Sequence, residues 1–135
     1  MKKIIRLRTD GTTEILNAPN DMDSQYLASL IDCDWIEIVR PKEGAYVLVV
    51  DEEGLLKEDV KWNPYASYLY GFISHGTPIA GDALLMCEVF GKEGPELAGI
   101  PEQEATEIIK IFDSTLYNIM LQIIEKLIRE LKEEK

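Results

Sequence analysis

Two short apolar runs, AYVLVVD at 45–51 and ALLMCEVF at 83–90, constrain the fold of this chain more than any other feature. A strand with one wet face alternates polar and apolar side chains, whereas a nearly continuous run such as 45–51 belongs to a strand buried on both faces. The surrounding sequence therefore has to supply neighbouring strands and covering helices. KIIRLR (3–8), the tight-turn pair Asp10-Gly11 and the extended TTEIL that follows predict an N-terminal β-hairpin. WIEIV (35–39) alternates and is rich in β-branched residues, so it predicts a further strand, joined to 45–51 by a turn at Pro41 to Gly44. Glu52-Glu53-Gly54 makes the next turn, after which LLKE is placed to pair back.

Helical patterns fill the gaps. Pro19, Asn20 and Asp21 break the first hairpin, and Asp23 or Ser24 caps a helix that carries Tyr26, Leu27, Leu30 and Ile31 towards the sheet. NPYASYLYG (63–71) opens with Asn-Pro and closes with glycine, which predicts a short helix with Tyr65–Leu69 and Ala66–Tyr70 as one-turn pairs. GFISHGTPIAGD (71–82) reads as a loop, and residues 93–100 have the composition of a linker. From Pro101 the pattern is helical to the end, as one helix or as two divided at Asp113-Ser114 with Ser114 capping the second. Its apolar stripe, from Ile108 to Leu131, is wider than one core requires, so it predicts a second contact, made with another copy of the chain. The expected fold is α+β in one structural domain: a body at 1–92 with a small, mostly antiparallel sheet and two short helices, then a long C-terminal helix or helix pair at 101–135.

Composition narrows the function classes. The net charge of −11 opposes direct nucleic-acid binding, which draws its affinity from Lys and Arg releasing phosphate counterions. Apolar runs fall short of the roughly 20 residues that span a bilayer, and Arg6, Arg8 and Asp10 interrupt the start before any leader core develops, so a cytoplasmic location and no membrane partner are expected. Cys33, Cys87 and the single His75 are too few for a Cys/His zinc site, and the cysteines read as reduced thiols. The strong phosphate, dinucleotide, metalloprotease and esterase signatures do not occur, so no cofactor, metal or catalytic residue is assigned.

The most distinctive local chemistry is aromatic. Trp62, Asn63, Tyr65 and Tyr68, with Lys61 before them and Tyr70 and Phe72 after, combine ring faces that stack on planar bases with an amide that reads a base edge. Arg40, at a strand end, is a candidate anion partner, and His75 sits beside Ser74 in a glycine-flanked loop. These six, Arg40, Trp62, Asn63, Tyr65, Tyr68 and His75, are the candidate ligand-binding residues. The competing reading has Tyr65, Leu69 and Phe72 simply covering the sheet.

The ordered blocks IEIVRP (36–41), LVVDEEGLLKE (48–58), NPYASYLYG (63–71) and IAGDALLM (79–86) resemble the small proteins grouped as domain of unknown function 3846, over roughly residues 1–90. The resemblance implies a setting on phages, plasmids and other mobile elements, and hence in the cytoplasm of a bacterial host cell. It assigns no residues a role. Small acidic proteins in that setting often act against host defence. The leading expectation is therefore a non-enzymatic counter-defence accessory protein that sequesters a small nucleotide-like signal as a homo-oligomer. An acidic protein-binding inhibitor or DNA mimic directed at a host defence protein is the first alternative, and a small nucleotide phosphodiesterase is the second.

Overall fold

The structure, a computed structural model, describes residues 1–41, 44, 46–75 and 77–133. Strands β1 (Lys2–Leu7) and β2 (Thr13–Asn17) form the expected hairpin, with Ile5 opposite Ile15. Its turn follows from Asp10 and Gly11: the Asp10 carboxylate accepts the Thr12 N–H at 2.9 Å, and Gly11 has a φ of 87°. Helix α1 (Ser24–Leu30) is capped by Asp23, whose carboxylate accepts the Tyr26 N–H at 2.7 Å. Strands β3 (Ile36–Val39) and β4 (Tyr46–Asp51) follow, then helix α2 (Pro64–Tyr70), the short helix α3 (Phe72–His75) and strand β5 (Ala83–Gly91). The chain ends in strands β6 (Gly94–Ala98) and β7 (Ile100–Pro101) and helices α4 (Glu102–Phe112) and α5 (Thr115–Glu133).

The sheet runs in the order β2-β1-β5-β4-β3, with β6 added to β5 and β7 to β1, and every pairing is antiparallel. The two apolar runs are its centre. Alternate residues of β4 and β5 enter different cores: Leu48, Val50 and Leu85 face α2, α4 and α5, whereas Val47, Val49, Leu84 and Met86 face Leu27 of α1 and Ile31, which caps it. Both faces are covered, which is why these strands lost their polar alternation.

The structure departs from the sequence reading at three places. Residues 93–100 are no linker: β6 pairs with β5 from Cys87↔Ala98 to Gly91↔Gly94, and β7 anchors buried Ile100 beside β1. Glycine and proline mimic a linker here because β6 is solvent-facing at the sheet's rim, where proline is tolerated. Gly99 is needed for packing, since a Cβ there would lie 2.7 Å from the Cβ atoms of Ala18 and Lys2. LLKE does not pair back; Gly54–Leu56 is a single 3-10 turn. The loop after Gly71 contains α3, whose Phe72 is buried against Ile124 and Ile128 of α5.

The C-terminal segment is two helices. α4 stops at Asp113, and the Ser114 hydroxyl accepts the Tyr117 N–H at 3.3 Å, capping α5. Along α5, Leu121, Ile124 and Ile128 are buried while Leu116, Ile119 and Ile123 remain exposed, Leu116 to 78%. No helix among the described residues is long and apolar enough to cross a membrane.

Candidate ligand-binding cleft

The segment that holds most of the candidate residues is built from its caps. The Asn63 side chain accepts the Ala66 N–H at 3.0 Å, which starts α2, and its amide donates to the Leu7 and Gly81 carbonyls, both at 2.9 Å. Gly71, with a φ of 83°, ends the helix by donating its N–H to Ser67 and Tyr68. Asn63 is wholly buried and its three side-chain hydrogen bonds are all to backbone groups of the fold, so it ties α2 to β1. Tyr65 is buried as well, its hydroxyl donating to the Phe112 carbonyl at 3.0 Å. For these two residues the packing reading prevails.

The remaining candidates are dispersed. Trp62 packs against the cluster of Phe72, Ile124 and Ile128, and its buried indole N–H has no hydrogen-bond partner among the described residues. Arg40 is clamped by Glu88, Nε to Oε1 at 2.9 Å and Nη2 to Oε2 at 2.6 Å, and each charge stabilises the other. The His75 side chain lies outside the described residues. Tyr68 is 40% exposed and sits edge-on against Tyr117, with ring centroids 6.0 Å apart.

Tyr117 leads to the cleft. Tyr65, Phe112 and Tyr117 form a tight ring cluster with centroids 5.1 to 5.8 Å apart. The outer side of Phe112 and Tyr117 joins Tyr46, Leu69, Ile108, Ile111 and Pro41 around an apolar cavity of about 240 Å³. The Tyr46 hydroxyl, on its wall, donates to the Glu104 carboxylate. Burial, helped by that carboxylate, raises the Tyr46 pKa above the ordinary phenol value. Burial pushes Tyr117 up to about 12, with Tyr68 and Tyr65 adding to the shift, so both phenols are neutral across the physiological range. None of the candidates among the described residues lines this cleft; Tyr65 and Tyr68 touch its wall residue Tyr117 from behind, ring to ring.

Tyr46, Ile111, Phe112 and Tyr117 were not singled out as ligand residues from sequence. A signal existed, in that Phe112 and Tyr117 flank the Asp113-Ser114 helix break, and a sharp corner between two helices turns flanking rings towards one point. A second hollow surrounds Asp51, whose nearly buried carboxylate pairs with Lys57 at 2.7 Å and also accepts the Glu53 N–H. Among the described residues no group of three or more His, Cys, Asp or Glu is arranged to hold a metal ion.

Residues 1–113 match the model of a family described as Domain of unknown function (DUF3846). The chain belongs to the DUF3846 family. The match extends past the blocks that suggested it, through β6, β7 and α4, and stops at the α4–α5 corner. DUF3846 membership therefore covers the whole sheet, and the cleft's last wall, Tyr117 of α5, lies beyond it. Neither the curated proteins nor the solved structures contain a significant match to this chain.

Proposed function

We propose that this DUF3846 member is a non-enzymatic accessory protein of a phage or other mobile element. It takes the planar ring of a small nucleotide-like signal into the cleft and works as a homo-oligomer joined through α5. The observation that carries the reading is the convergence of Tyr46, Phe112 and Tyr117 on one apolar cavity. Aromatic walls receive a flat ring by stacking or edge contacts, worth about 1–3 kcal/mol per base.

Size and charge sharpen the ligand. A cavity of about 240 Å³ is below the roughly 300 Å³ at which ordinary small-molecule pockets begin. It has room for one ring system, and the rest of a larger signal would lie outside or against another subunit. Beside the cleft, Glu104 holds Tyr46 and Glu88 occupies Arg40, so the surroundings disfavour phosphate. The base end of the ligand enters, and a nucleoside binds better than its monophosphate.

Calorimetry against adenosine, guanosine, their monophosphates, cyclic dinucleotides and ADP-ribose tests this. The expected result is binding that Ile111→Trp, which fills the cleft from its exposed rim, weakens at least tenfold, with the ligand recovered unmodified. No binding across the panel, or binding indifferent to Ile111→Trp, would sink the reading.

A further inference from the structure

Strand β3 is an open edge of the sheet beside an acidic hollow. The Glu52 N–H donates to the Trp35 carbonyl at 2.9 Å, and Glu37 and Val39 stand opposite Val50 and Leu48. Backbone groups alternate sides along an antiparallel strand, so residues 35, 37 and 39 bond to β4. The N–H and C=O groups of Ile36 and Ile38 then point away from the sheet, and among the described residues β3 pairs with no other strand.

The hollow lies under the same edge. Glu37 and Val39 form its near wall, Val50, Ile79 and Ala80 contribute apolar surface, and its volume is about 280 Å³. Glu52 also lines it. Among the described residues neither Glu37 nor Glu52 has an ion-pair partner, whereas Asp51 is already paired with Lys57. Trp35, 64% exposed, stands at the start of the edge.

We infer that the β3 edge docks an extended, basic peptide segment of another protein, which adds as a strand beside Ile36–Val39 and lays a Lys or Arg side chain over the Glu37 hollow. An added strand satisfies the outward backbone groups of Ile36 and Ile38, and that main-chain pairing gives affinity. Its residue opposite Glu37 or Val39 projects to the same face as they do, which places it over the hollow. An apolar floor with a carboxylate rim suits a long aliphatic stem ending in a cation. Opposite charges across neighbouring strands attract, and like charges repel. The same rule disfavours a second copy paired symmetrically about residue 37, which would bring Glu37 against Glu37. This surface is independent of the aromatic cleft.

The test is selection of a displayed library of random seven-residue peptides on the full-length protein, followed by amide hydrogen exchange with the enriched peptides. Expected are peptides with Lys or Arg at alternating positions, slowed exchange at Ile36 and Ile38, and affinity at least fivefold lower for Glu37→Lys. Glu37→Gln, which leaves size unchanged, should show a smaller loss and guards against misfolding of the reversed-charge variant. Peptides without basic residues, unprotected Ile36 and Ile38 amides, affinity unchanged by Glu37→Lys, or no enrichment at all would each overturn the inference.

Discussion

The Tyr65 hydroxyl donates to the Phe112 carbonyl at 3.0 Å, and through that bond α2 caps the C-terminus of α4. The last carbonyls of a helix have no partner within it. Asp113 and Ser114 donate to Ile109 and Ile111, so Tyr65 supplies what Phe112 lacks. Removing the hydroxyl with Tyr65→Phe keeps the ring packing and orphans a buried acceptor, at a cost of about 1–3 kcal/mol. Tyr68→Ala, on the exposed side of the same helix, should cost under about 1 kcal/mol. Urea denaturation of the two variants checks the contrast; equal losses would contradict it.

Asn63 is the more demanding position. Replacing it with alanine removes the α2 cap, worth about 1 kcal/mol, and leaves the Leu7 and Gly81 carbonyls without their donor. The combined loss should be at least about 3 kcal/mol, larger than for Tyr65→Phe, which orphans one carbonyl and removes no cap. Serine would restore the cap without the two donated bonds and so recover only part of it. Thermal unfolding of wild type, Asn63→Ser and Asn63→Ala should give that order.

Alkaline pH should destabilise the fold through its buried and half-buried phenols. Tyr117 is pushed up to about 12, and Tyr46 and Tyr65 are also raised, chiefly by burial. The unfolded chain releases these protons near about pH 10, before the folded one does. The stabilisation is complete below that pH and falls as pH climbs towards the folded values. Denaturation midpoints at about pH 9 and about pH 11 should differ, and Tyr117→Phe should shrink the difference. An ultraviolet titration in which all tyrosines ionise together would contradict the assignment.

Much of this architecture could be read in advance because it rests on local rules. Asp10-Gly11, Asp23, Asn63-Pro64, Gly71 and Ser114 each satisfy a backbone requirement within a few residues of themselves. The continuous apolar runs likewise announced central strands. What could not be read was the destination of a side chain across the fold. Tyr65 and Tyr68 are the same residue type on one short helix, yet only the position of Phe112, 47 residues further on, decides that the first is structural. Tyr46 and Tyr117, 71 positions apart by number, meet at one cleft for the same reason. The 93–100 segment was misread because a rim strand carries the glycine and proline of a loop while its backbone pairs with β5.

The exposed side of α5 makes the last prediction. Leu116, Ile119 and Ile123 lie on one face at intervals of three and four residues, beside the face that Leu121, Ile124 and Ile128 bury in the core. An amphipathic helix ordinarily leaves its outer face polar, and contiguous exposed apolar surface marks an association site. If the homo-oligomer forms here, Ile119→Glu with Ile123→Glu places two charges in its interface. Both positions are more than half exposed in the single chain, so subunit stability should change by no more than about 0.5 kcal/mol each. Light scattering should then show the wild type as an oligomer and the double variant as a monomer, with superimposable circular dichroism spectra. A wild-type monomer at high concentration, or an oligomer that survives both substitutions, would place the function of this face elsewhere.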